Sequence, residues 1–220
     1  MGTLTINNAA CNIVIYRPEY GLLYNWYAAA DERNITSSAD WVVPSKTQIQ
    51  TMVTYLGVGA GTKLKVGGSS GFNAKSSGQR VPAFQQKGNQ EFMTSSTALY
   101  ALVRTILNIY TANTEVILSD GNNYKYEGTS VRLLYTGVGT PTSYTGNDGK
   151  IYRAVTIGTQ TWLADNLCET KFRNGDVIPW HGANPASYFT NEEWAALTTA
   201  GCCAYDNDVN NVASGFTFPS

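Results

Sequence analysis

Tyr20-Gly21-Leu22-Leu23-Tyr24-Asn25-Trp26-Tyr27-Ala28-Ala29 is a dense aromatic–aliphatic block. It is too rich in bulky side chains for a loop and reads as core. A second block, Gly158-Thr159-Gln160-Thr161-Trp162-Leu163-Ala164-Asp165-Asn166-Leu167, lies far along the chain. With residues 150–157 it reads as two strands joined across Gly158-Thr159.

Between these blocks, Pro44-Ser45-Lys46-Thr47-Gln48 starts a helix. Ser45 is placed to cap the backbone, and Gln48 holds the capping-box position. Ile49, Met52, Val53 and Leu56 follow at i, i+3, i+4 and i+7, which makes one apolar face, and Gly57 ends it. A second helix starts at Thr190 with Glu193 three residues on, Trp194 and Leu197 as its buried stripe, and Gly201 beyond its end. Elsewhere the chain reads as strands and loops. Residues 3–16 hold two short β-prone runs around Asn7-Asn8, and residues 116–126 read as a hairpin around Asp120-Gly121. Residues 130–135 read as a strand, and residues 136–149 as a Gly/Thr/Pro linker without apolar period. Residues 97–110 place Leu99, Leu102, Val103, Ile106 and Leu107 near helical spacing and fit a third helix or two strands. Two helices among many strands give an α+β class.

The formal net charge is −1 at pH 7, so nucleic acid is not an expected partner. Charged residues are 14% of the chain, against roughly 25% in an average soluble domain. The surface must therefore be built from Thr, Ser, Asn, Gly and Tyr, side chains that serve either β-rich turns or adaptable contact. No stretch approaches the ~20 apolar residues of a membrane span, and no membrane insertion is expected. The opening residues show neither the basic nor the apolar region of a signal peptide.

Catalytic patterns are weak. The four cysteines, Cys11, Cys168, Cys202 and Cys203, form no C-x-x-C pair and read as small buried thiols. His181 is the only histidine and has no partner motif, so it reads as a loop residue. Gly67-Gly68-Ser69-Ser70-Gly71 matches G-x-S-x-G, yet no helix can follow it as a nucleophile elbow requires. Asp206, Asp208 and Asn210 have calcium-loop spacing, but Asn211 stands where glycine is needed and Thr217 where glutamate is needed. An Asx-rich turn explains them. No enzyme, metal or cofactor is expected.

Several blocks resemble the Fibrobacter succinogenes major paralogous domain, a family with a C-type-lectin-like fold. The family's opening D-G-x-x-Y, G-x-Q-x-W-[ML]-A-[ED]-N-L and N-G-x-x-I-P blocks are similar to residues 148–152, 158–167 and 174–179. Its Trp-bearing helix and Y-N-[ND] turn resemble residues 194–197 and 205–208. Its continuation, G-x-L-Y-N-W-Y-A, W-x-[VL]-P-[ST] and the helix ending Y-L-G, resembles residues 21–28, 41–45 and 55–57. Residues 61–65, 70–74, 95–97 and 128–132 resemble its later blocks, which favours strands over 97–110. The match covers about four-fifths of the chain. Gly78-Gln79-Arg80 departs from the family's G-Y-R, and Met93-Thr94-Ser95-Ser96-Thr97 lacks the Trp of W-S-S-T.

The larger departure is order, since the family's second half comes first here. The resemblance therefore implies a circularly permuted C-type-lectin-like domain over 20–211, with two helices packed on short antiparallel sheets. Within it, 20–135 is the second half of the module, 136–149 the linker joining the old ends, and 146–211 the first half. Residues 1–19 form an extension and 212–220 a tail, both read as docking segments. The rival arrangement, half-modules completed by neighbouring subunits, makes a homo-oligomer. The family implies a non-enzymatic recognition or display role. The expected setting is a virion surface (fibre, tail tip or capsid), with other virion proteins and a bacterial surface glycan or protein as partners. The alternatives are a secreted bacterial surface protein that binds polysaccharide and an enzyme of the formylglycine-generating type. The latter needs a reactive cysteine pair that nothing here supplies at a matching place. The variable face of such folds falls on Tyr100, Arg104, Asn108, Tyr110, Asn113, Asn123 and Tyr124, the expected ligand-binding residues.

Overall fold

A computed structural model describes residues 16, 18–183 and 187–219. Its strands are β1 (Leu23–Tyr24), β2 (Trp41–Val42), β3 (Gln79–Val81), β4 (Ala83–Gln85), β5 (Gln90–Ala98), β6 (Arg104–Tyr110), β7 (Val116–Ser119), β8 (Leu134–Tyr135), β9 (Ser143–Thr145), β10 (Ile151–Ile157), β11 (Gln160–Leu163) and β12 (Cys202–Cys203). Its α-helices are α1 (Trp26–Ala29), α2 (Lys46–Leu56), α3 (Ala60–Leu64) and α4 (Asn191–Ala195). The class is α+β, mostly sheet.

Both expected helices form, with the expected chemistry at their starts. Ser45 and Gln48 cap α2 reciprocally, as Thr190 and Glu193 cap α4. Ile49, Met52 and Leu56 are buried along α2, while Trp194 is the buried anchor of α4 and Leu197 is only half-buried. Two further helices, α1 and α3, are too short to carry an apolar period, so the sequence does not announce them.

The main sheet has the order β2-β8-β11-β10-β9, antiparallel throughout. Trp41 and Thr161 flank Tyr135, and Val42 and Trp162 flank Leu134, so strands distant in sequence alternate. A smaller pair, β1-β12, sets Leu23 against Cys203 and Tyr24 against Cys202. The remaining strands form a three-stranded sheet, β5-β6-β7, and a β3-β4 hairpin.

Every apolar cluster draws on residues from both sides of the 136–149 segment. The largest joins Leu22, Tyr24 and Ile35 to Tyr152, Leu163 and Phe172. A second packs Ile49, Met52 and Met93 around Trp162, and a third sets Leu23 against Trp194 and Cys203. Buried arginines fasten the seams. Arg132 donates from Nε to Asn166 Oδ1 at 2.7 Å and from Nη2 to the Asn73 carbonyl at 2.9 Å, and its guanidinium lies over the Phe72 ring. Burial pulls its pKa down to about 10. Asn25, fully buried, caps α1 and reaches residue 199: Oδ1 accepts from the Ala28 and Gly201 amides, and Nδ2 donates to the Thr199 carbonyl.

Several expectations need correction. Trp26 and Tyr27 are half-buried, so the first block is core only in part. The 116–126 hairpin does not close, because Tyr124 bridges Val103 and leaves β7 without that partner. Of residues 130–135 only Leu134–Tyr135 is regular strand. The linker is not structureless, since β9 lies within it and buries Tyr144 against Trp41. The tail is no free docking segment: Val212, Ala213 and Phe216 belong to the largest cluster. Residues 97–110 are strand at both ends, as the resemblance implies. The β-prone runs over 3–16 and Cys11 lie outside the described residues, apart from Tyr16, whose amide donates to the Ile151 carbonyl at 2.7 Å.

Candidate recognition face

The turn between β5 and β6 is built by its own backbone. The Leu99 amide donates to the Val103 carbonyl at 2.9 Å, and the Lys125 amide donates to the Leu102 carbonyl at 2.8 Å. Those bonds leave the intervening side chains outside. Tyr100 is 74% exposed, Leu102 59% and Tyr124 40%. Tyr124 stacks on Tyr126 with ring centroids 5.6 Å apart and planes 12° from parallel. Lys125 turns inward, its Nζ 4.0 Å from the centre of the Trp26 ring. The result is an uncharged tyrosine–leucine rim on a rigid turn. Large side chains with few rotatable bonds give contact area at low entropic cost.

Charge lies beneath that rim. Arg104 is fully buried, with Nη1 donating to Thr94 Oγ1 at 2.7 Å and Nη2 to the Glu127 carbonyl at 2.8 Å. Burial pulls its pKa down to about 10 and pushes the Glu127 carboxyl up to about 7. Asn123 donates to the Ser119 carbonyl and hydroxyl at 3.1 Å each, closing the loop that carries Tyr124.

The seven expected residues therefore do not converge. Tyr100 and Tyr124 share the rim. Arg104, Asn108 and Asn123 are buried, and the side chains of Arg104 and Asn123 bond within the fold. Tyr110 and Asn113 lie at and beyond the other end of β6, about 20 Å away at the usual rise per strand residue. Leu102 and Tyr126 complete the rim and escaped sequence reading. Leu102 fits a core position on a helical pattern equally well, and no local signal separates the two.

The other residues singled out in the sequence are engaged within the fold. Cys168, Cys202 and Cys203 are buried free thiols whose pKa values burial raises, Cys203 to about 11, so thiolate chemistry is suppressed. His181 Nδ1 pairs with the Gly182 carbonyl, and its ring meets the edge of Trp180. Ser70 Oγ donates to the Lys63 carbonyl at 2.6 Å. Asp208 Oδ1 accepts from the Asn210 amide, an Asx turn. No cluster of three or more His, Cys, Asp or Glu side chains placed to hold a metal occurs among the described residues. No family model, curated protein or solved structure matches the chain.

Proposed function

We propose that this chain is a non-enzymatic recognition or display module, a virion surface component that contacts a bacterial surface glycan or protein. The observation that carries this reading is the uncharged Tyr100–Leu102–Tyr124 rim, held on a backbone-bonded turn above a buried arginine. Exposed aromatic side chains on a backbone-bonded base suit contact with a partner at low entropic cost.

The permuted C-type-lectin-like arrangement is part of the same proposal. It is supported by blocks from both ends of the chain meeting at shared atoms, Arg132 with Asn166 and Asn25 with Gly201. Fluorescently labelled protein should bind whole cells of a susceptible bacterium, and the Tyr100→Ala/Tyr124→Ala double variant should bind at least tenfold more weakly with unchanged thermal stability. Equal binding by the double variant contradicts the assignment of this face.

A further inference from the structure

The loop that follows α1 folds over the last third of the chain and leaves a cleft of about 280 Å3. Ile35, Trp41 and Val43 lie at its base, and Asn34, Ser96 and Arg173 stand around its mouth. It shares no residue with the tyrosine rim.

Arg173 is fixed by the loop it meets. Its amide donates to the Asn34 carbonyl at 2.9 Å, Nε to the Thr36 carbonyl at 2.8 Å and Nη2 to Thr36 Oγ1 at 3.0 Å. Nη1 has no acceptor, and Arg173 has no carboxylate partner, among the described residues. The neighbouring acids are already engaged. Both oxygens of Asp31 accept from Arg33, at 2.9 and 2.8 Å, and Asp176 accepts from Arg33 Nη1 at 3.2 Å. Arg33 holds the Asp31 carboxyl below its ordinary range. The cleft thus presents one positioned guanidinium with a free Nη1, and the carboxylate that also lines it, Asp31, is turned to Arg33. Beside it, Ser96 Oγ and Asn34 Oδ1 carry no hydrogen bond among the described residues. Asn34 sits at φ +61°, which fixes the loop's left-handed corner.

We propose that this cleft binds one carboxylate-bearing sugar residue, such as a uronate of an acidic polysaccharide. The carboxylate meets Arg173, ring hydroxyls meet Ser96 and Asn34, and the apolar ring face rests on the base. The volume falls just below the roughly 300–1,000 Å3 of sites for drug-sized ligands, so it admits one ring. A free amino acid fits less well, because its ammonium would find no unengaged carboxylate.

The test is a titration of the full chain with methyl glucuronide, followed by NMR at the Ser96 amide and the Trp41 indole. Shifts that saturate in the millimolar range are expected. Methyl glucoside should bind at least tenfold more weakly, as should the Arg173→Gln variant with glucuronide. Arg173→Lys should recover part of the loss. Because Arg173→Gln also removes bonds to Thr36, Ser96→Phe is the second variant: it fills the mouth without adding charge and should abolish the shift at the Trp41 indole while thermal stability is retained. Absence of shifts at the cleft, equal binding of the glucoside, or an identical response to acetate overturns the proposal.

Discussion

The Tyr24 hydroxyl donates to the Glu169 carbonyl at 2.8 Å, across 145 positions of sequence. Glu169 Oε1 accepts from the Tyr152 hydroxyl at 2.6 Å, and Oε2 accepts from the Asp148 amide at 2.6 Å. One buried glutamate therefore ties the Gly21–Ala28 block to the strand that opens at Ile151. A buried polar group with satisfied partners fixes one arrangement of the surrounding interior, since any other leaves donors unpaired.

That glutamate sets a pH dependence. Burial pushes Glu169 up to about 7, and Glu127 likewise, from 4.5. In the range between 4.5 and 7 the folded chain binds more protons than the unfolded one, so stability rises as pH falls through that window. Asp31 and Asp120, held low by Arg33 and Lys46, act oppositely and lose their contribution below about pH 4. Urea unfolding should show maximal stability near pH 5, and Glu127→Gln should flatten the slope between pH 5 and 7. Stability that rises steadily from pH 5 to 8 is the contrary result.

Gly146 tests the packing of the same cluster. A Cβ there would stand 2.2 Å from Glu169 Oε1. The carboxylate cannot retreat without releasing Tyr152 and Asp148. Gly146→Ala should cost about 2 kcal/mol, within the range for overpacked sites. Calorimetry reads it as a lowered Tm, whereas Gly139→Ala, where an added Cβ meets nothing, lacks that clash and pays only for its left-handed φ of +96°.

Arg104 and Tyr100 should separate fold from recognition. Arg104→Ala strips a fully buried side chain and leaves Thr94 Oγ1 and the Glu127 carbonyl without their donor, an expected loss of about 3 kcal/mol. Tyr100→Ala removes exposed surface and should change stability by under about 0.5 kcal/mol. Chemical denaturation distinguishes the two, and similar losses would contradict the burial described.

The capped helices were legible because capping depends on a few adjacent residues: Ser45 with Gln48, and Thr190 with Glu193, state it locally. Strands β10 and β11 were legible because Gly158 breaks a β-rich run, whereas β5, the longest strand, was not read. Seams were not. Asn25 stands within the aromatic block that reads as core, and nothing local shows that its side chain bonds to residues 199 and 201. Arg104 reads as a contact residue because the resemblance places it on a variable face and arginine suits contact, and only the fold shows Thr94 and Glu127 accepting its bonds. β9 was hidden for a similar reason: a three-residue edge strand with one buried side chain, Tyr144, has no period to detect.

The central claim is that the two ends of the chain build one interior. A protease site placed after Gly139, in the exposed turn between β8 and β9, allows it to be cut after folding. The account predicts that the two fragments co-elute as the uncut chain does and melt in one transition. Fragments that separate under native conditions, or melt independently, would contradict it.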